Sequence, residues 1–174
     1  MGKITFVLGG ARSGKSRFAV SLAKKRSKNG KVAFIATCLA GDKEMERRIA
    51  LHKKARPAEW KTFEKPKDIS SLLTKIGSDS EVIIIDCLTL HICDFMMHGF
   101  KEELIEHNIS RMLKALAKIK AKTIIISNEV GLGIVPNSKM GREFRDIAGR
   151  ANQMVTAEAD EVYFLVSGLA QKIK

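Results

Sequence analysis

The chain has 174 residues, 45% hydrophobic and 29% charged, a composition typical of a folded domain and too mixed for a disordered chain. We therefore predict a single catalytic domain over residues 1–174. Lys and Arg number 31 against 19 Asp and Glu, a net charge of +12. This excess favours an anionic partner, either a nucleic acid or a nucleotide with a phosphorylated small substrate, and motifs must decide between them.

Three cysteines, Cys38, Cys87 and Cys93, form no CxxC pair, which argues against a disulfide framework and a structural zinc site. The apolar run at the amino terminus is too short for a signal peptide. No stretch approaches the roughly 20 apolar residues that a membrane helix needs. We therefore expect no membrane span and a cytoplasmic location.

Strands and helices alternate along the chain. Short apolar runs rich in β-branched residues predict buried strands at Ile4–Leu8, Val32–Thr37, Val82–Asp86, Thr123–Ser127 and Val162–Val166. Apolar residues at three-to-four spacing predict helices at Ser16–Lys28, Glu44–Lys54, Glu102–Lys120 and Arg142–Glu158. This alternation predicts an α/β fold with a mostly parallel, doubly wound sheet.

Two segments depart from this alternation. Residues Leu169–Ile173 follow the last predicted strand across Ser167-Gly168, which predicts a hairpin and an antiparallel edge strand. Residues Leu39–Pro66 are the least regular, because Gly41, Pro57 and Pro66 interrupt a dense run of charge. Functional loops on a rigid scaffold have this composition.

A phosphate-binding loop follows the first strand and opens the first helix. The motif G-x4-G-K-[ST] is met by Gly9, Gly10, Ala11, Arg12, Ser13, Gly14, Lys15 and Ser16. Its backbone N–H groups and the positive end of the helix bind phosphate oxygens, and Lys15 should reach the β- and γ-phosphates. We therefore predict a P-loop NTPase fold and a bound nucleoside triphosphate.

An acidic residue ends the third predicted strand. Asp86 follows a buried apolar run, as in a Walker B segment, and we predict that it and the Ser16 hydroxyl hold Mg²⁺. An aspartate after a strand also commonly caps a turn, so the P-loop is what favours the metal role. Thr89 either takes part or caps the next helix.

A histidine lies in an unusually basic helix end. His52 is followed by Lys53, Lys54 and Arg56 before Pro57 stops the helix. A histidine at a helix carboxyl end usually only interacts favourably with the helix dipole. The residues alone therefore favour a structural role for His52.

Asn128 and Glu129 follow a predicted strand at the side where ligands bind open α/β sheets, and Gly131 and Gly133 permit a tight loop. A turn stabilised by side-chain capping explains the same residues. The later arginines Arg142, Arg145 and Arg150 either meet phosphate or pair with neighbouring acids.

The chain resembles the bifunctional adenosylcobinamide kinase and adenosylcobinamide-phosphate guanylyltransferase family of cobalamin biosynthesis, the CobU type. The resemblance spans nearly the whole chain, and Ser127–Pro136 is its most specific motif. The matching segments are Gly9–Arg17, Ile35–Thr37, Asp42–Pro57 with Trp60, Asp86–Thr89, Ser127–Pro136, Arg142–Gln153 and Ala159–Val162 with Gly168 and Lys172–Lys174.

The resemblance implies a RecA-like sheet and two reactions. In the first, the terminal phosphate of ATP or GTP passes to the aminopropanol hydroxyl of adenosylcobinamide. In the second, GTP guanylylates His52 with loss of pyrophosphate, and adenosylcobinamide phosphate accepts the GMP. A neutral imidazole is able to attack the α-phosphorus at pH 7. The resemblance also implies a homo-oligomer, a trimer, with the corrinoid site between subunits.

Further site residues follow from the same resemblance. Lys15 and His52 are expected to be catalytic, and Glu64 to contact the guanine or ribose. Lys53, Lys54 and Arg56 are placed to neutralise charge on the reacting phosphates. Beyond the P-loop, the residues expected to border the nucleotide are Ile35, Ala36, Thr37, Lys53, Lys54, Ala55, Arg56, Glu64 and Asp86.

Two other functions remain open from the residues alone. One is a P-loop kinase of another small-molecule alcohol, in which His52 is structural and no nucleotide becomes covalently bound. The other is a nucleic-acid-binding NTPase, favoured by the charge and by a pI near 9.8. One Trp and one Tyr provide no obvious platform for stacking bases, so we expect no nucleic-acid partner.

Overall fold

A computed structural model of the protein describes residues 2–38, 43–54 and 56–174, without the side chains of Met45, Arg48 and His52. Seven strands lie in this part of the chain: β1 Ile4–Gly9, β2 Val32–Ala36, β3 Lys61–Glu64, β4 Val82–Asp86, β5 Lys122–Ile126, β6 Glu161–Val166 and β7 Leu169–Lys172. The helices are α1 Lys15–Arg26, α2 Lys43–Lys54, α3 Ile69–Ile76, α4 Leu88–Met97, α5 Glu102–Leu116 and α6 Lys139–Glu158.

The strands form one sheet in the order β3-β2-β4-β5-β1-β6-β7. Every neighbouring pair is parallel except β6 and β7, which are antiparallel. The predicted mostly parallel α/β sheet with an antiparallel edge hairpin is confirmed. The strand β5 lies between β1, which leads into the P-loop, and β4, which ends in Asp86.

Both faces of the sheet are buried, which explains the continuous apolar runs of its central strands. In β4, Ile83 and Ile85 pack in the cluster that α3, α4, α5 and α6 cover, while Val82 and Ile84 pack in the cluster on the α1 side. None of these four side chains is exposed to solvent. Full burial of one such side chain stabilises the fold by roughly 1.5–3 kcal/mol.

Three elements lie outside the segments predicted from the sequence. The edge strand β3 is short and mostly exposed, so its residues show no buried apolar run. The helix α3 has 8 residues, begins after Asp68 as its N-cap, and is too short for a clear period. The helix α4 is apolar on most sides, with Leu88 and Ile92 in the core and further contacts to α6, which hides its amphipathic pattern.

No described helix is both long enough and apolar enough to cross a membrane.

Candidate active site

The P-loop runs from the end of β1 into α1 through backbone conformations that favour glycine. Gly9 has a φ of 151° and Gly14, the N-cap of α1, a φ of 97°. A Cβ on Gly9 would lie 2.4 Å from the carbonyl oxygen of Leu165 and 2.7 Å from Ser13 Oγ. No side chain fits there without movement of the neighbouring backbone, so glycine at this position is a steric requirement.

Lys15 lies in the first turn of α1 and is 8% exposed. Its Nζ donates a hydrogen bond of 2.6 Å to the carbonyl oxygen of Gly10, so the side chain folds back over the loop. Burial lowers the pKa of Lys15, and the nearby charge of Asp86 opposes this effect. The ammonium group is therefore held within the curl of the loop, where phosphate oxygens bind in P-loop proteins.

Ser16 and Asp86 come together although 70 residues separate them in sequence. The Ser16 hydroxyl donates a hydrogen bond of 3.1 Å to Asp86 Oδ2. A hydroxyl and a carboxylate are ligand types that Mg²⁺ uses, the remaining positions being filled by water and phosphate oxygens. The described residues contain no cluster of three or more His, Cys, Asp or Glu side chains that could hold a metal ion.

Thr37 links the end of β2 to the end of β4. Its hydroxyl donates to the carbonyl oxygen of Cys87 at 2.7 Å and accepts from the Cys87 N–H at 2.8 Å. Its own N–H donates to the carbonyl oxygen of Asp86 at 3.0 Å. The buried Thr37 hydroxyl therefore positions the backbone beside Asp86.

A second network positions the chain after β5. Thr89 Oγ1 accepts a hydrogen bond of 2.9 Å from the Asn128 N–H and lies 3.4 Å from Ser127 Oγ. The carbonyl oxygen of Asn128 accepts from Asn152 Nδ2 at 3.2 Å. Thr89, Ser127 and Asn152 are all buried. These contacts connect α4, β5 and α6 beneath the site.

Glu129 lies directly beside the P-loop. Its N–H donates to the carbonyl oxygen of Gly9 at 3.1 Å, and its Oε1 accepts from the Gly131 N–H at 2.8 Å. The sequence left open whether Asn128 and Glu129 face a ligand or form a capped turn. The Glu129 carboxylate does cap a turn, and the backbone contact also places the residue beside the P-loop.

The turn between β6 and β7 covers the other side of the P-loop. The Gly168 N–H donates to the carbonyl oxygen of Ser13 at 2.9 Å. Ser167 and Gly168 have φ values of 50° and 87°, as in the tight turn of a two-residue hairpin. The carboxyl-terminal hairpin therefore holds the P-loop in place, which the sequence pattern alone did not indicate.

The basic segment, which includes Lys53, Lys54 and Arg56, runs from the end of α2 toward the edge strand β3. Lys53 Nζ lies 2.6 Å from Glu64 Oε1, and both side chains are 49% exposed. Lys54 is exposed. The backbone of His52 belongs to α2, but its side chain and the whole of Ala55 lie outside the described residues. The roles expected of these two residues therefore stay predictions.

Arg56 has an unusual environment. Its guanidinium carbon lies 3.8 Å from the centre of the Phe34 ring, a cation–π contact. Its Nε and Nη1 atoms are buried and have no hydrogen-bond partner among the described residues. Burial lowers the pKa of Arg56, and Asp86 and Glu64 oppose this effect. Buried donors normally have a hydrogen-bond partner. The two Arg56 donors are therefore available to an anionic ligand.

Two other residues expected near the nucleotide lie at different depths. The Ile35 side chain is fully buried in the core, so only its backbone is able to border a ligand. Ala36 is half-buried at the strand end, and its carbonyl oxygen accepts from the Lys65 N–H at 2.8 Å.

The arginines of α6 bind neighbouring protein groups. Arg142 Nη1 donates to the carbonyl oxygens of Pro136 and Asn137 at 3.0 and 2.7 Å. Arg145 lies 3.5 Å from Asp146, and Arg150 forms an ion pair with Glu102. Of the two explanations that the sequence left open, these contacts favour the structural one.

Comparison with known proteins gives one consistent family. The family model described as "Cobinamide kinase / cobinamide phosphate guanyltransferase" (CobU) matches residues 5–173. The "Bifunctional adenosylcobalamin biosynthesis protein CobU" of Escherichia coli and its namesake of Salmonella typhimurium are each 38% identical over 180 residues, covering 97% of this chain and 98% of theirs. The corresponding CobP of Pseudomonas aeruginosa is 38% identical over 168 residues, covering 97% and 95%.

Proposed function

Since the chain belongs to the CobU family, we propose that it phosphorylates adenosylcobinamide and then transfers GMP from GTP to the product, giving adenosylcobinamide-GDP. The observation that carries the kinase half is the meeting of Lys15, Ser16 and Asp86 at the carboxyl edge of the sheet. This arrangement supports our assignment of phosphate binding and Mg²⁺ binding to one place. The full-length similarity to bifunctional relatives supports the guanylyltransferase half.

In the first reaction, the P-loop N–H groups hold the phosphates of ATP or GTP. Ser16 and Asp86 would hold Mg²⁺ here, and the ion would supply positive charge to the reacting phosphates. The hydroxyl oxygen of adenosylcobinamide bonds to the γ-phosphorus, and the bond to the β–γ bridging oxygen breaks. Lys15 stabilises the charge that collects on the departing diphosphate.

In the second reaction, a neutral His52 nitrogen attacks the α-phosphorus of GTP and pyrophosphate leaves. The phosphate of adenosylcobinamide phosphate then attacks the same phosphorus and releases the histidine. Lys53 lies next to His52 in sequence, and the unpaired donors of Arg56 lie beyond the end of α2. These cations support our assignment of this segment to the guanylylation step, because charge develops on the α-phosphate as it reacts.

The decisive experiment is covalent labelling with α-³²P-GTP and Mg²⁺ in the absence of corrinoid. We expect acid-labile, alkali-stable label on the wild-type chain and none on His52→Ala. His107→Ala, which removes an exposed histidine from α5, serves as the matched control and should label normally. γ-³²P transfer to adenosylcobinamide is measured in parallel and should persist in His52→Ala.

The same experiment separates the alternatives. A kinase of the corrinoid alone would transfer γ-phosphate without forming label, and a kinase of another alcohol would do neither. A nucleic-acid-binding NTPase would hydrolyse GTP faster with added nucleic acid and lose that binding steeply with salt. The family match does not favour either alternative.

We also propose a homotrimer, on the strength of the family resemblance. Exposed apolar side chains that are available for subunit contacts include Leu51, Met97, Leu132 and Ile134. Light scattering coupled to gel filtration should give about three times the 19.3 kDa chain mass. A monomer at micromolar concentration would contradict this assembly.

A further inference from the structure

We propose that Glu129 accepts the proton of the substrate hydroxyl during phosphoryl transfer. The inference rests on the proposed kinase reaction and adds a catalytic residue to it. It comes from the strand order, which places the chain after β5 between the two parts of the phosphate site.

The strand order indicates where a γ-phosphate would lie. Lys15 folds over the P-loop, which follows β1, and Asp86, which with Ser16 would hold Mg²⁺, ends β4. Because β5 lies between β1 and β4, a γ-phosphate bound by both groups lies over the carboxyl end of β5. Ile126, the last residue of β5, pairs with Val7 on one side and Asp86 on the other.

Glu129 follows Ile126 by three residues and is held at this position through its backbone. Its N–H bonds to Gly9, and the preceding Asn128 is held by Thr89 and Asn152. The carboxylate is less constrained. Among the described residues its only hydrogen bond is the local one from Gly131, and the side chain is half-buried at the rim of the site. A fixed backbone with an accessible carboxylate suits a group that must meet an incoming hydroxyl.

The other described carboxylates that end strands at this edge are committed elsewhere. Asp86 accepts the Ser16 hydroxyl and belongs to the metal site. Glu64, at the end of β3, forms an ion pair with Lys53 of α2. The strand β3 lies four strand positions from β1. At about 4.8 Å per strand, that is roughly 19 Å from the P-loop strand. Glu129 is therefore the strand-end carboxylate best placed to reach a hydroxyl at the γ-phosphate.

In the proposed step one bond forms, one bond breaks and one proton moves. The substrate oxygen bonds to the γ-phosphorus, its proton passes to a carboxylate oxygen of Glu129, and the bond to the β–γ bridging oxygen breaks. The nucleoside diphosphate leaves with that electron pair. Glu129 returns its proton to solvent after the product departs.

The second reaction needs no such base. Its first nucleophile is a neutral imidazole and its second is a phosphate anion, so neither must lose a hydroxyl proton. Replacement of Glu129 by glutamine keeps the size and the hydrogen-bonding acceptor toward Gly131 but removes proton acceptance. The two activities of the protein should therefore separate in Glu129→Gln.

The test measures both reactions in wild type, Glu129→Gln and a control. We expect γ-³²P transfer from GTP to adenosylcobinamide to fall in kcat by about 10²–10⁴-fold, the range for loss of a general base. The KM for GTP should change less than about threefold, because uniform nucleotide binding is retained. Labelling of the chain by α-³²P-GTP should also stay within about threefold of wild type. Glu143→Gln, an exposed glutamate on α6, should match wild type in every assay.

Three results would overturn the proposal. If Glu129→Gln transfers γ-phosphate at the wild-type rate, the proton goes elsewhere. If it loses γ-transfer and α-labelling equally, Glu129 supports the fold or the metal site instead. If wild type performs neither reaction, the proposed function fails and this inference fails with it, so the two failures are distinguishable.

Discussion

Two regions of the molecule hold their functional residues by different means. The central region comprises the carboxyl ends of β1, β4 and β5 with the residues that contact them, and the outer region is the α2–β3 segment. In the central region, buried groups contact backbone atoms, as with Lys15 on Gly10, Thr37 on Cys87 and Thr89 on Asn128. In the outer region, the described side chains of α2 are exposed apart from a half-buried Ile49, and Lys53 pairs with Glu64 at the surface. Substitution of one of these buried contact residues should therefore destabilise the fold in the central region, whereas substitution in the outer region should alter mainly the chemistry.

The strongest test of the central region is Gly9→Ala. The new methyl group would lie 2.4 Å from the Leu165 carbonyl oxygen, and the φ of 151° disfavours a side chain. We expect a loss of about 3 kcal/mol and a drop in melting temperature of about 10 °C. Gly10→Ala is the matched control, because a Cβ there meets no atom within 4 Å. Equal melting temperatures for the two variants would show that the loop is not held as described.

Thr89→Val tests the network beneath Glu129. Valine keeps the shape but leaves the Asn128 N–H without its acceptor, so we expect a loss of about 1–3 kcal/mol in urea unfolding. Thr74→Val, an exposed threonine on α3, should change stability by less than about 0.5 kcal/mol. If the Glu129 proposal holds, phosphoryl transfer should fall more than labelling in Thr89→Val. Similar unfolding curves for the two variants would contradict the network.

Glu161 of β6, the strand that pairs with β1 on the side away from β5, allows stability at low pH to be compared. A hydrogen bond from Lys172 lowers the pKa of Glu161 to about 2; burial opposes it, and Arg26 reinforces it. Because the folded pKa lies below the ordinary 4.5, this stabilisation is present above pH 4.5 and is lost as the pH falls toward 2. Melting temperatures of Glu161→Gln should therefore decline less than those of wild type across that window. Parallel curves would refute the assignment.

The smallest stability effect is expected in the outer region. Lys53 and Glu64 are half exposed, so a double-mutant cycle should give a coupling below about 1 kcal/mol. Lys53→Ala should nevertheless slow α-³²P-GTP labelling by about tenfold, less than the loss of a buried donor, while phosphoryl transfer stays near wild type. A large coupling, or equal loss of both activities, would erase the distinction between the two regions.

Local patterns were sufficient for the elements that bury apolar runs. The five predicted strands, the predicted antiparallel edge strand and the four predicted helices all appear, with ends shifted by a few residues. β3 was missed because its four residues are mostly exposed, α3 because its eight residues are too few for a clear period, and α4 because its apolar residues lie around most of the helix. Periodicity indicates an element clearly only when the element is long enough to repeat the pattern and its apolar residues lie on one face, and each of the three lacks one of these properties.

The features of the site also divide into those predicted from local motifs and those that were not predicted. Gly9–Ser16 and Asp86 were predicted because a strand-loop-helix motif and a strand-end acid are local features, and the structure brings Ser16 to Asp86. The contacts of Thr89 with Asn128 and of Gly168 with Ser13 were not predicted, since each joins residues far apart in sequence. A threonine three residues after Asp86 was the one available signal for the first of them.

The sequence by itself determined the phosphate-binding loop, the alternation of strands and helices, and the family, because these depend on residues close together in the chain or on motifs in a set order. Only the tertiary structure decided that β5 lies between β1 and β4, which brings Glu129 to Gly9 and separates Glu64 from the P-loop. Strand order is set by long-range packing of helices on both faces of the sheet, and no local pattern encodes it.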